Sequence, residues 1–417
     1  MAPTHRLGRL GIVALALGLG ISSAPTAWAQ SPADPVNAAE AQLIRKVERR
    51  TANPALGRDL SIVVIDEATN RVVLSRRPYA RQLPASNMKV ITAVSALATL
   101  GPDHPFTTRV VAGRAPNEIV LQAGADPLLN RENLRWLARK AAASLKRGRP
   151  VILRVDDSIL AGSGQGPGWP DHYLGSVAGP VRALALRGDN SRSRQERAIE
   201  VFRSTLQRQG FKVVVRGKAR ARADAAVLAQ IAPHTVRQAV GVMLNESQNN
   251  VAELLFRHVA IARGQAPSWA GGRRAVTTLL GELGIDTAGL QVMDGSGLSR
   301  RNRVTALSLA QVARLSRIDP RFASMYGPRA MPIAGRTGTL DDRYGRYTTG
   351  PSRCARGKIR AKTGTLFDTI GLTGVTTAQD GMEKAFAILV NHRPQQVSRL
   401  TTRRAVDGLA ATINGCW

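Results

Sequence analysis

Runs of apolar residues predict β-strands near both ends of the chain. On the N-terminal side, "LSIVVIDEAT" at 60–69 and "RVVLSR" at 71–76 have the β-branched composition of two strands joined by a turn. Towards the C-terminus, "TIGLTGVTT" at 369–377 and "KAFAILVNH" at 384–392 have the same character. We expect the first and the last strands to share one sheet.

Helical periodicity dominates the chain between these strands and recurs at both ends. The predicted helices cover 38–50, a segment beginning at Ser86, 236–245, 249–263, 272–283 and 397–413. Strands therefore bracket a helical middle, and we expect an α/β (α+β) protein.

A second α/β pattern interrupts this body between residues 104 and 230. Its predicted strands are 106–113, 118–124, 150–157 and 211–217, and its predicted helices are 131–147 and 193–210. Glycine and proline mark 161–180 as a loop, and "KARARADAA" at 218–226 is a basic connector. We predict one domain formed by 30–103 and 231–417, with 104–230 as an inserted accessory subdomain.

The first 29 residues have the pattern of a signal peptide. Two arginines precede an apolar run from Leu10 to Ile21, and the small-x-small sequence "AWA" follows at 27–29. The run is short for a bilayer, although an uncleaved anchor is the alternative, and no later stretch is long and apolar enough to span one. We expect an exported, soluble protein that is periplasmic or extracellular and associated with the cell wall.

The charge balance narrows the possible partners. The 417 residues include 59 basic and 29 acidic ones, a formal charge of +30 at pH 7. Such a field favours anionic polymers. The basic residues are scattered, and no helix-turn-helix or zinc-finger pattern is present, so we do not expect nucleic acid. Anionic cell-wall polymers or membrane surfaces fit an exported protein better, and a merely solvated basic surface is the alternative.

Two cysteines, Cys354 and Cys416, invite a disulfide in an exported protein. The loop that they would close gives a chain-entropy stabilisation of roughly 4 kcal/mol. Two free buried thiols are the alternative. Neither cysteine has metal-ligating residues nearby, and we expect neither a metal nor a cofactor.

Three short motifs carry the candidate chemistry. Ser86 and Lys89 in "SNMK" lie one helical turn apart, so both side chains point the same way. Ser86 could be only a helix N-cap, with Lys89 reaching solvent. Downstream come "SQN" at 247–249 and "KTGT" at 362–365. In this order the three motifs form the set used by serine β-lactamases and penicillin-binding proteins, which favours a nucleophile.

Each residue type in the set has a chemical use. The Ser86 hydroxyl needs a base, and a neutral Lys89 can serve if burial and the nearby Lys362 lower its pKa. Ser247 can relay a proton to the leaving amine, and Asn249 can hold Lys89 and bind a substrate carbonyl.

The third motif has the groups that a substrate carboxylate and oxyanion need. Lys362 and Thr363 can bind the carboxylate, and Gly364 lets the substrate lie against the strand. Backbone N–H groups of Ser86 and Thr365 would form the oxyanion hole. A similar sequence, "GRTGTL" at 335–340, has arginine in place of lysine and precedes polar residues, so we interpret it as a loop.

Beyond the motifs, "LPASNMKVITAVSALATLGPDHPFTT", "GADPLL", "GPGWP" and "DGSGLSRRNRV" resemble the class C low-molecular-mass penicillin-binding proteins, which are D-alanyl-D-alanine carboxypeptidases and endopeptidases. The resemblance runs from about residue 57 to 414. It implies a penicillin-binding/β-lactamase-like transpeptidase fold: an antiparallel sheet flanked by helices, a helical region and an inserted α/β subdomain. The interval from Lys89 to Ser247 looks short for the family, which predicts a missing or trimmed accessory subdomain.

The resemblance also implies two specificity residues. Arg300 in "DGSGLSR" would help bind the diaminopimelate side chain of the substrate, and Asp171, after "PGWP", would bind its amine. A surface salt bridge for Arg300 and a helix cap for Asp171 are the alternatives. Gln248, where the family often has Asp, and Phe367, where some relatives have a polar residue, depart from the pattern.

We therefore expect an exported serine DD-peptidase that hydrolyses the terminal D-Ala-D-Ala bond of peptidoglycan stem peptides through an acyl-enzyme on Ser86. D-Ala–diaminopimelate cross-links are a further expected substrate, and β-lactam antibiotics are expected inhibitors. A β-lactamase is one alternative, but no convincing extra glutamate base is present and the chain is long for that class. A non-catalytic cell-wall binding protein is the other, which the intact motifs argue against.

Overall fold

The computed structural model of the protein describes residues 37–162 and 164–417, so the predicted signal peptide at 1–29 lies outside the described residues. Within these ranges the α-helices are α1 Ala38–Thr51, α2 Met88–Leu100, α3 Arg131–Ala142, α4 Arg194–Arg208, α5 Val236–Asn245, α6 Asn249–Ala262, α7 Trp269–Glu282, α8 Ala306–Ile318, α9 Gly350–Arg353 and α10 Arg399–Ile413. The strands are β1 Asp59–Asp66, β2 Val72–Arg76, β3 Thr108–Ala112, β4 Glu118–Gln122, β5 Val151–Asp156, β6 Val213–Lys218, β7 Val227–Ile231, β8 Ile359–Thr365, β9 Ile370–Thr377 and β10 Glu383–Asn391. Short 3₁₀ helices occur at Pro54–Leu56, Ala85–Asn87, Asp171–Tyr173, Pro320–Tyr326, Gly338–Leu340 and Asp342–Tyr344.

The first sheet joins the two ends of the chain. Its strand order is β2-β1-β10-β9-β8, and every neighbouring pair is antiparallel. Ile62 of β1 lies opposite Ile388 of β10, so the first and last strands share a sheet as the sequence predicted. Helices α1 and α10 pack on one face, and α8 packs on the other. Both faces are therefore buried.

Helix α2 runs through the centre of the helical region. All residues from Met88 to Leu97 are buried, because α5, α6, α7 and α8 surround the helix. A helix that is apolar on all sides is typical of such a position. Its single lysine, Lys89, is therefore carried into the interior.

The second sheet lies within residues 108–231 and has the order β6-β5-β4-β3-β7. Strands β4, β5 and β6 are parallel neighbours, and β3 pairs antiparallel with β4 and β7. Helices α3 and α4 pack together on one face. The interval between Lys89 and Ser247 thus contains a complete five-stranded sheet, while the predicted domain boundaries stay predictions.

Several elements differ from the sequence-based expectations. Helices α8 and α9 and strand β7 were not predicted, and α7 begins at Trp269 rather than 272. The start of α7 was missed because it contains Gly271 and Gly272. A Cβ at Gly272 would lie 2.3 Å from the Phe256 ring, so this glycine allows α7 to pack closely on α6. No helix of the described residues is long and apolar enough to cross a membrane.

Candidate active site

Ser86 lies on the 3₁₀ turn Ala85–Asn87 that leads directly into α2. Ala85 has φ 46°, in the left-handed region that residues other than glycine rarely adopt. No side-chain capping hydrogen bond is made at the start of α2. The helix-cap alternative for Ser86 is therefore wrong, and the turn presents a partly exposed hydroxyl.

Lys89 is fully buried one turn beyond Ser86. Its Nζ donates hydrogen bonds to Ser86 Oγ at 2.9 Å, to Asn249 Oδ1 at 2.7 Å and to the Ser296 carbonyl oxygen at 2.8 Å. Three acceptors use all three donors of an ammonium group. The solvent-facing alternative for Lys89 is wrong, and the amine is fixed against the serine.

Burial lowers the pKa of Lys89 to about 7, although the carboxylates of Asp294 and Glu253 act in the opposite direction. Desolvation disfavours the charged form of an amine, and this effect outweighs the two carboxylates. A substantial fraction of Lys89 is therefore neutral near pH 7, as a base for Ser86 requires.

Two buried acids that the sequence analysis missed hold the turn beneath Lys89. Glu253 on α6 accepts hydrogen bonds from the N–H of Ser296 at 2.8 Å and from Trp269 Nε1 at 2.8 Å. Burial and the neighbouring Asp294 raise the pKa of Glu253 to about 7. Since the carbonyl oxygen of the same Ser296 accepts from Lys89, Glu253 and Lys89 fix opposite sides of one residue.

Asp294 holds the other side of this turn. Its carboxylate accepts from the N–H groups of Gly297 and Ser299 and from the side chains of Asn302 and Trp169. The Trp169 contact is 2.7 Å long and ties the "GPGWP" loop to the site. Asp294 and Ser296 belong to "DGSG", a motif that was recognised only for its arginine.

The second motif occupies the corner between α5 and α6. Ser247 has φ 59°, and Gln248 precedes the first residue of α6, which is Asn249. Asn249 accepts from Lys89 through Oδ1, while its Nδ2 donates to the Val177 carbonyl oxygen at 2.8 Å. Among the described residues, Ser247 makes no hydrogen bond to Ser86 or Lys89. Its proposed proton relay stays a prediction.

The third motif lies on β8, the edge strand of the first sheet. Lys362 is fully buried, and its Nζ donates to the Thr363 carbonyl oxygen at 2.9 Å. Burial, together with the nearby cations Lys89 and Arg346, holds the pKa of Lys362 well below its ordinary value. Thr365 Oγ1 accepts from Arg403 at 3.3 Å. The structure thus places Lys362 close enough to Lys89 for the Lys89 charge to disfavour the charged form of Lys362, whereas the lowered pKa of Lys89 itself comes from burial.

Close packing against the Ser86 turn also requires glycine at position 364, in addition to the substrate contact that the sequence suggested. A Cβ at this position would lie 2.3 Å from Asn87 Nδ2 and 2.8 Å from the Pro84 carbonyl oxygen. Gly371, its partner on β9, has the same 2.3 Å clearance to Asn87. The two glycines therefore let β8 and β9 pack directly against the turn that bears Ser86.

The "GRTGTL" segment is a loop, as predicted, but it also contacts the third motif. Thr339, within the 3₁₀ helix Gly338–Leu340, accepts a hydrogen bond from Thr363 Oγ1 at 2.7 Å. At Gly338 a Cβ would lie 2.6 Å from the Asn245 carbonyl oxygen. The loop therefore lies between the end of α5 and β8, and Thr339 orients the Thr363 hydroxyl.

The two predicted specificity residues lie on separate segments. Arg300 forms a bidentate ion pair with Asp368, with both N–O distances 2.7 Å. Asp171 is exposed and accepts from Gln165 Nε2 at 2.8 Å, without acting as a helix cap. No hydrogen bond or ion pair joins Arg300 to Asp171 among the described residues. Asp368, three residues after Thr365, was missed by the sequence analysis.

The two cysteines and Phe367 are the remaining residues that the sequence singled out. Cys354 and Cys416 are joined by a disulfide, which links the end of α9 to the segment after α10. Phe367 is 68% exposed at the β8–β9 turn. Within the described part of the chain, no group of His, Cys, Asp or Glu residues could hold a metal ion.

Comparison with known proteins identifies the family. The chain matches the D-Ala-D-Ala carboxypeptidase 3 (S13) family over residues 43–192 and 187–413. It belongs to this family. It is a serine-type D-Ala-D-Ala carboxypeptidase, and the predicted kinship with class C low-molecular-mass penicillin-binding proteins is confirmed.

Individual relatives agree with this assignment. The chain is 33% identical over 395 residues to the carboxypeptidase DacB of Mycolicibacterium smegmatis, covering 88% of this chain and 82% of that protein. A carboxypeptidase of Mycobacterium tuberculosis is 31% identical over 388 residues, with the same two coverages. The crystal structure of penicillin binding protein 4 from Haemophilus influenzae superposes with a TM-score of 0.75 at 21% identity, covering 87% of this chain and 98% of that one. The predicted fold is confirmed.

Proposed function

We propose that the protein is an exported serine DD-peptidase that removes the terminal D-alanine from peptidoglycan stem peptides through an acyl-enzyme on Ser86. One observation carries the proposal: the fully buried Nζ of Lys89, with a pKa of about 7, lies 2.9 Å from Ser86 Oγ. A neutral amine at this distance can accept the hydroxyl proton as the oxygen attacks.

Acylation then proceeds by attack of Ser86 and collapse of a tetrahedral species. Ser86 Oγ forms a bond to the carbonyl carbon of the penultimate D-alanine, and its proton passes to Lys89 Nζ. Collapse of the tetrahedral species breaks the peptide C–N bond, and the leaving nitrogen of D-alanine takes a proton through Ser247. Asn249 Oδ1 and the Ser296 carbonyl stabilise the Lys89 ammonium between these transfers. In deacylation, water attacks the ester carbonyl carbon and gives a proton to Lys89; the bond between that carbon and Ser86 Oγ then breaks, and Lys89 returns the proton to Ser86 Oγ.

The substrate carboxylate has a matching site at β8. Lys362 supplies an amine, which a bound carboxylate would hold in its ammonium form, and Thr363 and Thr365 supply hydroxyl groups along the strand edge. Thr339 orients the Thr363 hydroxyl, and the glycine contacts with Asn87 set the distance between β8 and Ser86. The packing of β8 against Asn87 holds the carboxylate site at a fixed distance from Ser86. The scissile bond is therefore positioned before the chemistry begins.

Penicillin binding is the second part of the proposal. A β-lactam presents a carboxylate beside a strained amide, so it can use the same nucleophile and the same lysine, Lys362. A crystal structure of the Haemophilus influenzae relative was determined with a β-lactam bound. We expect the same antibiotic class to acylate Ser86.

Export and cross-link cleavage complete the proposal. The N-terminal signal pattern supports a periplasmic or extracellular, wall-associated protein. Within the cell wall, D-Ala–diaminopimelate cross-links present the same acyl donor with a different leaving amine. Asp368 lies on the turn after β8 and pairs with Arg300 of the "DGSGLSR" segment, so that the pair can contact that leaving group.

Two assays test the proposal: release of D-alanine from a stem pentapeptide, and covalent labelling by a fluorescent penicillin. Wild type should do both, and Ser86→Ala should do neither, because the acyl bond needs that oxygen. Ser95→Ala is the matched control, since Ser95 is a buried serine on the same helix whose Oγ has no hydrogen-bond partner among the described residues.

Three results would overturn the assignment. Labelling of Ser86→Ala at the wild-type level would mean that another nucleophile reacts. Absence of D-alanine release from a folded wild type would leave a binding protein. Rapid nitrocefin turnover would instead indicate a β-lactamase.

A further inference from the structure

Helices α3 and α4 cover one face of the second sheet, and a connector between two strands crosses the other face among the described residues. Buried side chains such as Ile119 and Leu153 belong to the core beneath α3 and α4. Residues of opposite alternation, including Arg109, Gln122 and Arg154, lie on the other face and line cavities there. Charged and polar side chains therefore lie on this second face, together with the apolar Val111, Val120 and Val227.

A single connector crosses this open face. The segment 219–226 joins β6 at one edge of the sheet to β7 at the other. Its Ala219 N–H donates to the Val155 carbonyl oxygen of β5 at 3.1 Å, and its Ala226 carbonyl oxygen accepts from the Ala112 N–H of β3 at 2.9 Å. Ala221 N–H donates to Asp156 Oδ2 at 2.9 Å. The connector is thus anchored on the sheet surface.

Two cavities flank the anchored connector, and together they form what we call the basic groove. One cavity, of about 500 Å³, is lined by residues including Arg109, Arg220 and Arg222. The other, of about 510 Å³, is lined by residues including Arg114, Arg154, Arg220 and Arg222. Arg220 and Arg222 line both cavities, so the connector presents cations to the cavities on both of its sides.

Positive charge in the basic groove exceeds the available carboxylates. Five arginines line it against two acids, Glu118 and Asp156. Glu118 pairs with Arg154 at 3.1 Å, and Asp156 accepts N–H groups from Ser158 and Ala221, which help hold its pKa below the ordinary value. Arg222 pairs with Asp224, which lies on the connector itself.

Three arginines remain without a carboxylate partner among the described residues. Arg109 donates only to the neutral Gln230 side chain, at 3.3 Å. Arg114 and Arg220 are exposed and make no hydrogen bond or ion pair within the part of the chain that the structure describes. A guanidinium fork of this kind matches the geometry of a phosphate group.

We propose that the basic groove binds a linear cell-wall polymer with phosphodiester linkages. Charge complementarity provides the attraction, and basic side chains spread over two adjacent cavities favour an extended ligand over a single ion. The inference rests on the proposed function only in that export brings the protein to the wall. The groove itself contains none of the residues assigned to catalysis.

Nucleic acid has the same backbone chemistry but fits the groove less well. Neither cavity has an aromatic lining residue among the described residues, so no platform is present on which single-stranded bases could stack. A flexible polyol phosphate needs no such platform. The groove therefore favours the polymer that lacks bases.

The test compares two double variants that each remove two exposed arginines. Arg114→Ala/Arg220→Ala lies in the groove, whereas Arg45→Ala/Arg139→Ala lies on α1 and α3, where both side chains are also exposed and unpaired among the described residues. Fluorescence anisotropy of labelled poly(glycerol phosphate) measures binding. We expect the groove variant to bind at least about tenfold more weakly, and the control variant to bind within about twofold of wild type, because local phosphate contacts dominate such affinities.

Further arms separate this site from non-specific charge and from catalysis. Equal losses in both double variants would overturn the proposal, as would duplex DNA, poly-γ-glutamate or anionic lipid vesicles binding as tightly as poly(glycerol phosphate) with the same loss in the groove variant. D-Alanine release by the groove variant should match wild type, which shows that it is folded. Ser86→Ala should bind the polymer normally, so failure of the groove and failure of the peptidase assignment give different results.

Discussion

Two groups of basic side chains in this protein have opposite surroundings. Lys89 and Lys362 are fully buried within a network of oxygen acceptors, and burial lowers the pKa of each. Arg114 and Arg220, on the open face of the second sheet, are exposed and have no carboxylate partner among the described residues. All four residues count equally towards the formal net charge of +30.

Burial, and not net charge, therefore decides whether a basic side chain in this protein can act as a base or attract anions. A buried amine loses its hydration, so its neutral form becomes available as a base near pH 7. An exposed guanidinium stays charged at every physiological pH and attracts anions in a salt-dependent manner. Changes to each group of side chains should therefore have different effects.

Removal of the buried amine should have the largest effect. Lys89→Ala is expected to slow acylation by fluorescent penicillin by about 10²–10⁴-fold, the usual contribution of a positioned base. Stopped-flow labelling rates measure this. Lys358→Ala, which removes an exposed lysine just before β8, should leave the rate unchanged. A near-normal rate in Lys89→Ala would mean that a different base serves Ser86.

The pH profile should report the lowered pKa directly. Below about pH 7, Lys89 is increasingly an ammonium that cannot accept a proton, so the acylation rate should fall about tenfold per pH unit. Glu253, whose pKa is also raised to about 7, loses its negative charge over the same range, which reduces its attraction for the Lys89 proton. Asp294 and Lys362 are the other titratable groups near Lys89.

A carboxylate placed beside Lys89 should move this profile. Asn249→Asp is expected to shift the acidic limb to higher pH, because a negative charge at the 2.7 Å contact favours the ammonium form. Acylation rates of wild type and variant between pH 5 and 9 provide the comparison. An unshifted limb would show that Lys89 does not control it.

Arg300 is intermediate between the two groups, since it is partly exposed and bidentately paired with Asp368. Arg300→Ala should lower kcat/KM about tenfold on a peptide with free diaminopimelate, the cost of one lost charged contact, while barely changing acylation by penicillin. The neighbouring Arg301→Ala is the control. If both substrates suffer equally, Arg300 is structural.

Salt should have the smallest effect on acylation and should act mainly on binding in the basic groove. Between 50 and 500 mM NaCl, penicillin acylation should change by less than about twofold, because buried charges are weakly screened. Binding of poly(glycerol phosphate) should fall steeply over the same range. A steep salt dependence of acylation would contradict the burial contrast.

The sequence by itself determined the chemistry and much of the framework. Ser86 and Lys89 are one helical turn apart, so their proximity follows from helix geometry alone. The strands of the first sheet could be located because their apolar, β-branched runs are local signals. Helix α8 was missed because buried polar residues such as Ser308 and Gln311 interrupt its apolar face, although Thr305 provides a capping signal.

Only the tertiary structure decided how the groups are tuned. Glu253 meets Ser296 across 43 residues, Thr339 meets Thr363 across 24, and Asp368 meets Arg300 across 68. No local pattern encodes such pairs. The exposure of Arg114 and the burial of Lys89 are likewise set by which faces pack together. Because the pKa and the charge of a basic group depend on solvent access, the sequence could name the candidate base and the basic residues, whereas only packing gave them different surroundings.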